Sequence, residues 1–208
     1  IVQWYEVEMY EEYLDSVINA INFVDDKSKV IVDVCFYLSQ NLEQIDTSLI
    51  TMDKIKETFK KSEKKLLDND INCVVNYYED EKIFSISDYR REFNSKYCEI
   101  ADVLMWGESD SLIPRQTFQI LDNLHTSVKE KTPKYVSFFG TCKMWDESWL
   151  PIEHNEFTNK PFVDGDPENW WSLRYNMSID EMNSFTDKVE ALDVRTINQY
   201  KFNGCGLV

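Results

Sequence analysis

An α/β fold is what this sequence predicts, with a mostly parallel sheet and helices on both faces. Apolar, β-branched runs of strand length alternate with amphipathic helical runs from the first residues to about residue 142. Residues 29–38 are almost continuously apolar, the pattern of a strand buried on both faces. The 208 residues suffice for one such domain with a full core, and too few remain for a second ordinary one.

The elements follow in order. Residues 2–7 read as a short strand. It leads into a helix whose Tyr10, Leu14, Val17, Ile18 and Ile21 keep the 3.6 period. Residues 29–38 are the second strand. Met52, Ile55, Phe59 and Leu66 mark the inner stripe of the next helix, and residues 71–78 the third strand. Ser87 reads as the cap of a helix carrying Tyr89, Phe93 and Tyr97. Residues 101–106 read as a fourth strand. Pro114 suits the first turn of a helix that continues through Phe118, Leu121, Leu124 and Val128, before a fifth strand at 135–142.

Beyond Lys143 the alternation breaks. Residues 144–177 form an irregular acidic and aromatic segment interrupted by Pro151, Pro161, Gly165 and Pro167. Loops of that length inside compact domains are functional or disordered, and this one is expected to lie over a pocket. Trp145, Trp149, Trp170 and Trp171 read as anchors of that segment on the core, with one of them free to touch an acceptor. Ser178 and Glu181 form a capping box for a last helix using Met182, Phe185 and Val189. Residues 1–208 thus read as a single domain. The missing initiating Met and the Gly-Leu-Val ending read as a fragment lacking its C-terminal part.

Composition excludes several functions. The 38 acidic residues against 22 basic ones give a net charge of −16, which repels a nucleic-acid backbone. The one basic helical stretch, residues 53–65 with six lysines and three acids, reads as a solvated face. Of only 5 glycines the first is Gly107, so no dinucleotide fingerprint or phosphate loop opens the chain. The two histidines, His125 and His154, are too far apart for a helical zinc motif. Five scattered cysteines without a Cys-x-x-Cys pair read as reduced thiols in a cytoplasmic protein. No apolar run approaches membrane-spanning length. Carboxylate and metal chemistry is what remains.

The sharpest local feature is Trp106-Gly-Glu-Ser-Asp-Ser-Leu-Ile-Pro114. Glu108 and Asp110, one residue apart beside Ser109, are hard-oxygen ligands suited to Mn²⁺ or Mg²⁺. A plainer reading stands beside it, in which Asp110 or Ser111 caps the following helix. Arg90 and Arg91 likewise have two readings, as site cations or as surface charges paired with nearby acids.

Ser85-Ile-Ser-Asp-Tyr-Arg-Arg-Glu-Phe-Asn94, followed by residues 101–114, resembles glycosyltransferase family two. The likeness spans about residues 1–140 and is specific around 85–118. In that family a helix ending at an Arg-Asn pair precedes an apolar strand, an Asp-x-Asp-like motif and a Leu-x-Pro helix start. Here the acidic motif is Glu-Ser-Asp, and the arginines precede Asn94 by one helical turn. The resemblance implies the GT-A nucleotide-diphospho-sugar transferase fold. It implies a metal-dependent hexosyltransferase-type enzyme, moving sugar from a nucleoside-diphosphate donor to an acceptor hydroxyl on a glycan, lipid or protein. Asp110, Glu108 and His154 become the expected metal ligands. Tyr5, Asp33, Arg90, Arg91, Asn94, Glu108 and Ser109 become donor-binding residues. Asp146 or Glu147 becomes the general base. The competing readings are a GT-A domain that binds nucleotide or sugar without turnover, a nucleotidyltransferase, and an acidic interaction protein with no small ligand.

Overall fold

The computed structural model describes residues 1–3, 6–39, 51–80, 86–132, 135, 141–143, 161–162, 174–175 and 178–187. The chain is a mixed α/β protein. Its helices are α1 (Val7–Asn22), α2 (Met52–Asp68), α3 (Ile86–Tyr97), α4 (Thr117–Val128) and α5 (Ile179–Thr186). Its strands are β1 (Ile31–Ser39), β2 (Asn72–Asp80), β3 (Ser111–Leu112), β4 (Thr141–Lys143), β5 (Pro161–Phe162) and β6 (Arg174–Tyr175).

Strands β1 and β2 run parallel, paired from Ile31 opposite Asn72 to Ser39 opposite Asp80. On the other side of β1, Val2 makes a single parallel bridge to Phe36. Alternation along β1 then separates two faces. Val34 and Phe36 enter one core with Tyr10, Leu14, Val17, Ile18 and Ile21 of α1 and Ile55 and Leu66 of α2. Phe36 is the hub, edge-on to Tyr10 at 5.1 Å and to Phe59 at 5.9 Å between ring centroids. Asp33, on the opposite face, meets α3 instead. The stripes expected for α1 and α2 are the buried ones, because a 3.6 period needs only one wall to pack on.

Helix α2 ends in a Schellman motif, in which Ile71 N–H donates to Leu66 O and Asp70 N–H to Leu67 O. Its left-handed residue is Asp70, with φ of 58°. Four lysines of α2 pair with acids. Lys54 pairs with Glu8, Lys61 with Glu57, Lys64 with Asp68, and Lys65 with Asp15. Through Lys54 and Lys65 the basic stretch is braced against α1.

Several sequence expectations need correction. Of the described residues in 2–7, Val2 alone bridges to β1, and Glu6 N–H donates to Gln3 O just ahead of α1, which already begins at Val7. Of residues 101–106, Trp106 makes a β-bridge and 101–105 carry no strand ladder among the described residues. The acidic motif therefore lies in a turn ahead of β3, not at the end of a buried strand. Among the described residues the strands do not form one mostly parallel layer. Beside the β1–β2 pair stands a separate four-stranded sheet, ordered β3-β4-β6-β5, in which β3–β4 and β5–β6 are antiparallel. Ser87 falls inside α3 rather than before it. Helix α4 begins three residues after Pro114, whose carbonyl accepts from Thr117 N–H at 3.1 Å and Thr117 Oγ1 at 2.6 Å.

The Ser178–Glu181 capping box is present, with Glu181 N–H to Ser178 Oγ at 3.2 Å and Ser178 N–H to Glu181 Oε2 at 2.9 Å. Most of residues 144–177, including all four tryptophans there, lies outside the described residues. Among the described residues no helix is long and apolar enough to cross a membrane.

Candidate functional site

The chain folds the acidic motif into a tight turn. Ser111 N–H closes it onto Glu108 O at 3.2 Å, and Ser111 Oγ donates to Asp110 Oδ1 at 3.3 Å. Neither Asp110 nor Ser111 caps a helix. Strand β3 follows immediately, and the N-cap position of α4 is Gln116. The capping reading of this motif is thereby removed. Ser109 is 2% exposed and Asp110 7%. Among the described residues Asp110 is the one buried charged side chain, in a position that proteins reserve for paired or functional groups.

This turn forms one wall of a cavity of about 290 Å³. Helix α3 supplies Arg90, Phe93 and Lys96 from one face, spaced three residues apart. Strand β1 supplies Asp33 and Cys35, and the chain entering α1 supplies Gln3 and Glu6. Five sequence-predicted residues, Asp33, Arg90, Glu108, Ser109 and Asp110, thus line a single space although they come from three segments.

Arg90 is a cavity residue. Its guanidinium lies over the Trp106 ring, 5.3 Å from the centroid, with Nη2 3.4 Å from Glu108 Oε1. Arg91 turns outward, its side chain 74% exposed and 3.6 Å from Asp88, so the surface reading holds for it. Asn94 stands behind the wall and accepts from Trp106 Nε1–H at 3.1 Å, which fixes the indole rather than a ligand. Tyr5, Asp146, Glu147 and His154 lie outside the described residues.

Sequence reading passed over Glu6, Lys96 and Tyr97. Lys96 Nζ and Tyr97 Oη donate to the same Asp33 oxygen, at 2.8 and 2.6 Å. Hydrogen bonding to Asp33 raises the Lys96 ammonium above its ordinary pKa, and burial raises the Tyr97 phenol. The period of α3 could have flagged Lys96, which shares a face with Arg90 and Phe93. Glu6 Oε2 accepts from Ser109 Oγ at 2.5 Å and from Gln3 N–H at 3.0 Å. Burial pushes the Glu6 carboxyl above its ordinary value, against those two hydrogen bonds. Burial also raises the Tyr13 phenol behind the turn, with Tyr10 and then Glu108, Asp110 and Glu6 adding to it. Burial pushes the Cys35 thiol up to about 12, so it is protonated at neutral pH and is no nucleophile.

Among the described residues no three His, Cys, Asp or Glu side chains converge as a self-sufficient metal cage. The donor set nonetheless fits Mg²⁺ or Mn²⁺, which keep waters and take one or two carboxylates together with substrate phosphates. Asp110 and Glu108 are hard oxygen donors on the wall of one cavity. Comparison with protein-family models, with curated proteins and with solved structures finds no match for this chain.

Proposed function

We propose that the protein is a metal-dependent glycosyltransferase of GT-A type, moving a sugar from a nucleoside-diphosphate donor to an acceptor hydroxyl. The observation that carries this is the convergence of Asp33, Arg90, Glu108 and Asp110 on one cavity. A parallel β1–β2 pair flanked by the Val2 bridge, with α1 and α2 on one face and α3 on the other, supports the same architecture.

Asp110 is the principal holder of Mn²⁺ or Mg²⁺, with Glu108 auxiliary and His154 the third candidate. Such a cation, when bound, supplies positive charge to the donor diphosphate and its leaving oxygen. Arg90 adds a fixed cation on the same side. Asp33, oriented by Lys96 and Tyr97, offers an acceptor to the nucleoside part. In the transfer the bond from the sugar's anomeric carbon to the diphosphate oxygen breaks, and the diphosphate leaves with the electron pair. The acceptor oxygen bonds to that carbon, and its proton passes to Asp146 or Glu147 as general base.

Titration of nucleoside diphosphates with and without Mn²⁺ tests the reading. The parent chain binds more tightly with Mn²⁺. Asp110→Asn, which keeps the shape and removes the charge, loses about 1.5–3 kcal/mol of that binding, as for a charge-assisted contact. Circular dichroism confirms that the variant is folded. Equal binding by parent and variant would overturn the assignment. Metal-dependent binding without sugar transfer to any acceptor would mark a binding domain instead.

A further inference from the structure

Helix α1 and the residue that opens it hold the acidic turn and the chain beyond it at three places. The Tyr13 ring abuts Gly107, Ser16 Oγ accepts from Ile113 N–H at 3.2 Å, and Glu6 Oε2 accepts from Ser109 Oγ at 2.5 Å. The third contact differs from the other two. It acts on the residue that lies between the two candidate metal ligands, and its acceptor is a carboxylate lining the cavity.

We propose that Glu6 is the positioning residue of the site, tying Ser109 inward so that Glu108 and Asp110 are presented to the cation and the diphosphate. The proposal rests on the glycosyltransferase reading of this cavity. Ser109 is almost fully buried, so its hydroxyl cannot turn away without leaving a buried donor unsatisfied. Fixing that side chain fixes the backbone from which both neighbouring carboxylates depart. Metal and phosphate geometry is sensitive to such displacement, because ligand directions must hold to within about half an ångström. The carboxylate is retained although burial opposes its charge and Asp110 adds repulsion. A group kept at that cost is expected to serve the site rather than the core.

The hydrogen-bond geometry supplies a clean control. Ser109 Oγ and Gln3 N–H both donate to Oε2 of Glu6. A glutamine can offer its one carbonyl oxygen to both donors, whereas a leucine of similar bulk offers none.

The test is calorimetric titration of the full chain with UDP and with GDP, each with and without Mn²⁺. Glu6→Leu and Ser109→Ala are each expected to lower the Mn²⁺-dependent affinity about tenfold. The double variant should be no weaker than either single one, because both remove the same link. Glu6→Gln should keep its enhancement by Mn²⁺ within about threefold of the parent's. A residue that merely stabilises the fold would lower the melting temperature and leave the enhancement by Mn²⁺ unchanged. The proposal is overturned if Glu6→Leu keeps the parent's enhancement, if the two single losses add, or if glutamine fails as badly as leucine. Should Glu6→Leu not fold, Ser109→Ala decides, and parent-like enhancement there overturns it equally. A parent that shows no Mn²⁺-dependent binding defeats the glycosyltransferase reading and this proposal together. A binding parent with indifferent variants defeats this proposal alone.

Discussion

Gly107 lies flush against Tyr13: a β-carbon at position 107 would fall 1.8 Å from the Tyr13 hydroxyl oxygen and 3.0 Å from Cζ. The glycine is required by that approach, and the phenol behind it sets the depth of the acidic turn. Gly107→Ala should therefore destabilise by about 1–3 kcal/mol, the range for overpacking, measured by urea unfolding. Tyr13→Phe in the same chain removes the nearest atom and should restore more than half of the loss. Gly107→Ala at parental stability would mean that the turn does not sit against this ring.

Asp70 occupies a left-handed position that favours glycine. Asp70→Gly should stabilise the protein by about 0.5–1 kcal/mol, since relief of the αL cost exceeds the added unfolded-state entropy. A shift of the urea midpoint to higher concentration, with unchanged slope, checks this. A lower midpoint would show that the Asp70 side chain makes a compensating contact.

The parts legible in the sequence were those specified locally. The stripe Tyr10, Leu14, Val17, Ile18 and Ile21 could be read as a buried helix face because periodicity is a property of the helix itself. The Ser178–Glu181 box spans one turn and was equally readable. Of residues 101–106 only Trp106 bridges among the described residues, because an apolar run by itself does not fix where a strand pairs. The acidic turn was found, yet what holds it was not: Glu6 and Ser109 are 103 residues apart, and Asp33 and Lys96 are 63 apart. Contacts of that separation leave no spacing rule in one chain.

The Glu6 carboxyl gives a pH signature. Its folded pKa is raised, chiefly by burial, above the unfolded value. The folded state therefore binds the proton more tightly. The stability this gives is fully present below the unfolded carboxylate pKa and is lost as pH rises through the folded one. Glu6→Gln removes that titration. Its melting temperature relative to the parent should rise as the pH climbs from the unfolded carboxylate pKa through the folded one. A constant difference across that range would show that Glu6 titrates normally.

The Asp33 carboxylate accepts from Tyr97 Oη at 2.6 Å while its own side chain is only 14% exposed. Removing that donor with Tyr97→Phe should cost about 1.5–3 kcal/mol, as for a hydrogen bond to a charged group. Lys96 is half in solvent, so Lys96→Met should cost less. Thermal or urea unfolding gives the order, and the reverse order would place the weight on the ammonium.

Arg90 offers the last test, because it separates fixed charge from metal charge. Glu6, Glu108 and Asp110 line one side of the cavity, in a protein of net charge −16, so a diphosphate approaching it meets repulsion. Two basic side chains lining the cavity among the described residues oppose this, Arg90 and Lys96, and Lys96 is already paired with Asp33. Without Mn²⁺ the guanidinium of Arg90 is the principal attraction left. Arg90→Ala should thus reduce Mn²⁺-free nucleoside-diphosphate affinity more than Mn²⁺-loaded affinity, so that the dependence on metal grows. Arg90→Lys should recover only part, since an ammonium keeps the charge but loses the planar seat on Trp106. In the ligand-free protein Arg90→Ala should cost only about 1 kcal/mol, the scale of a partly exposed cation–π contact and ion pair. Equal losses with and without Mn²⁺ would mean that Arg90 shapes the cavity through Trp106 rather than meeting the phosphates.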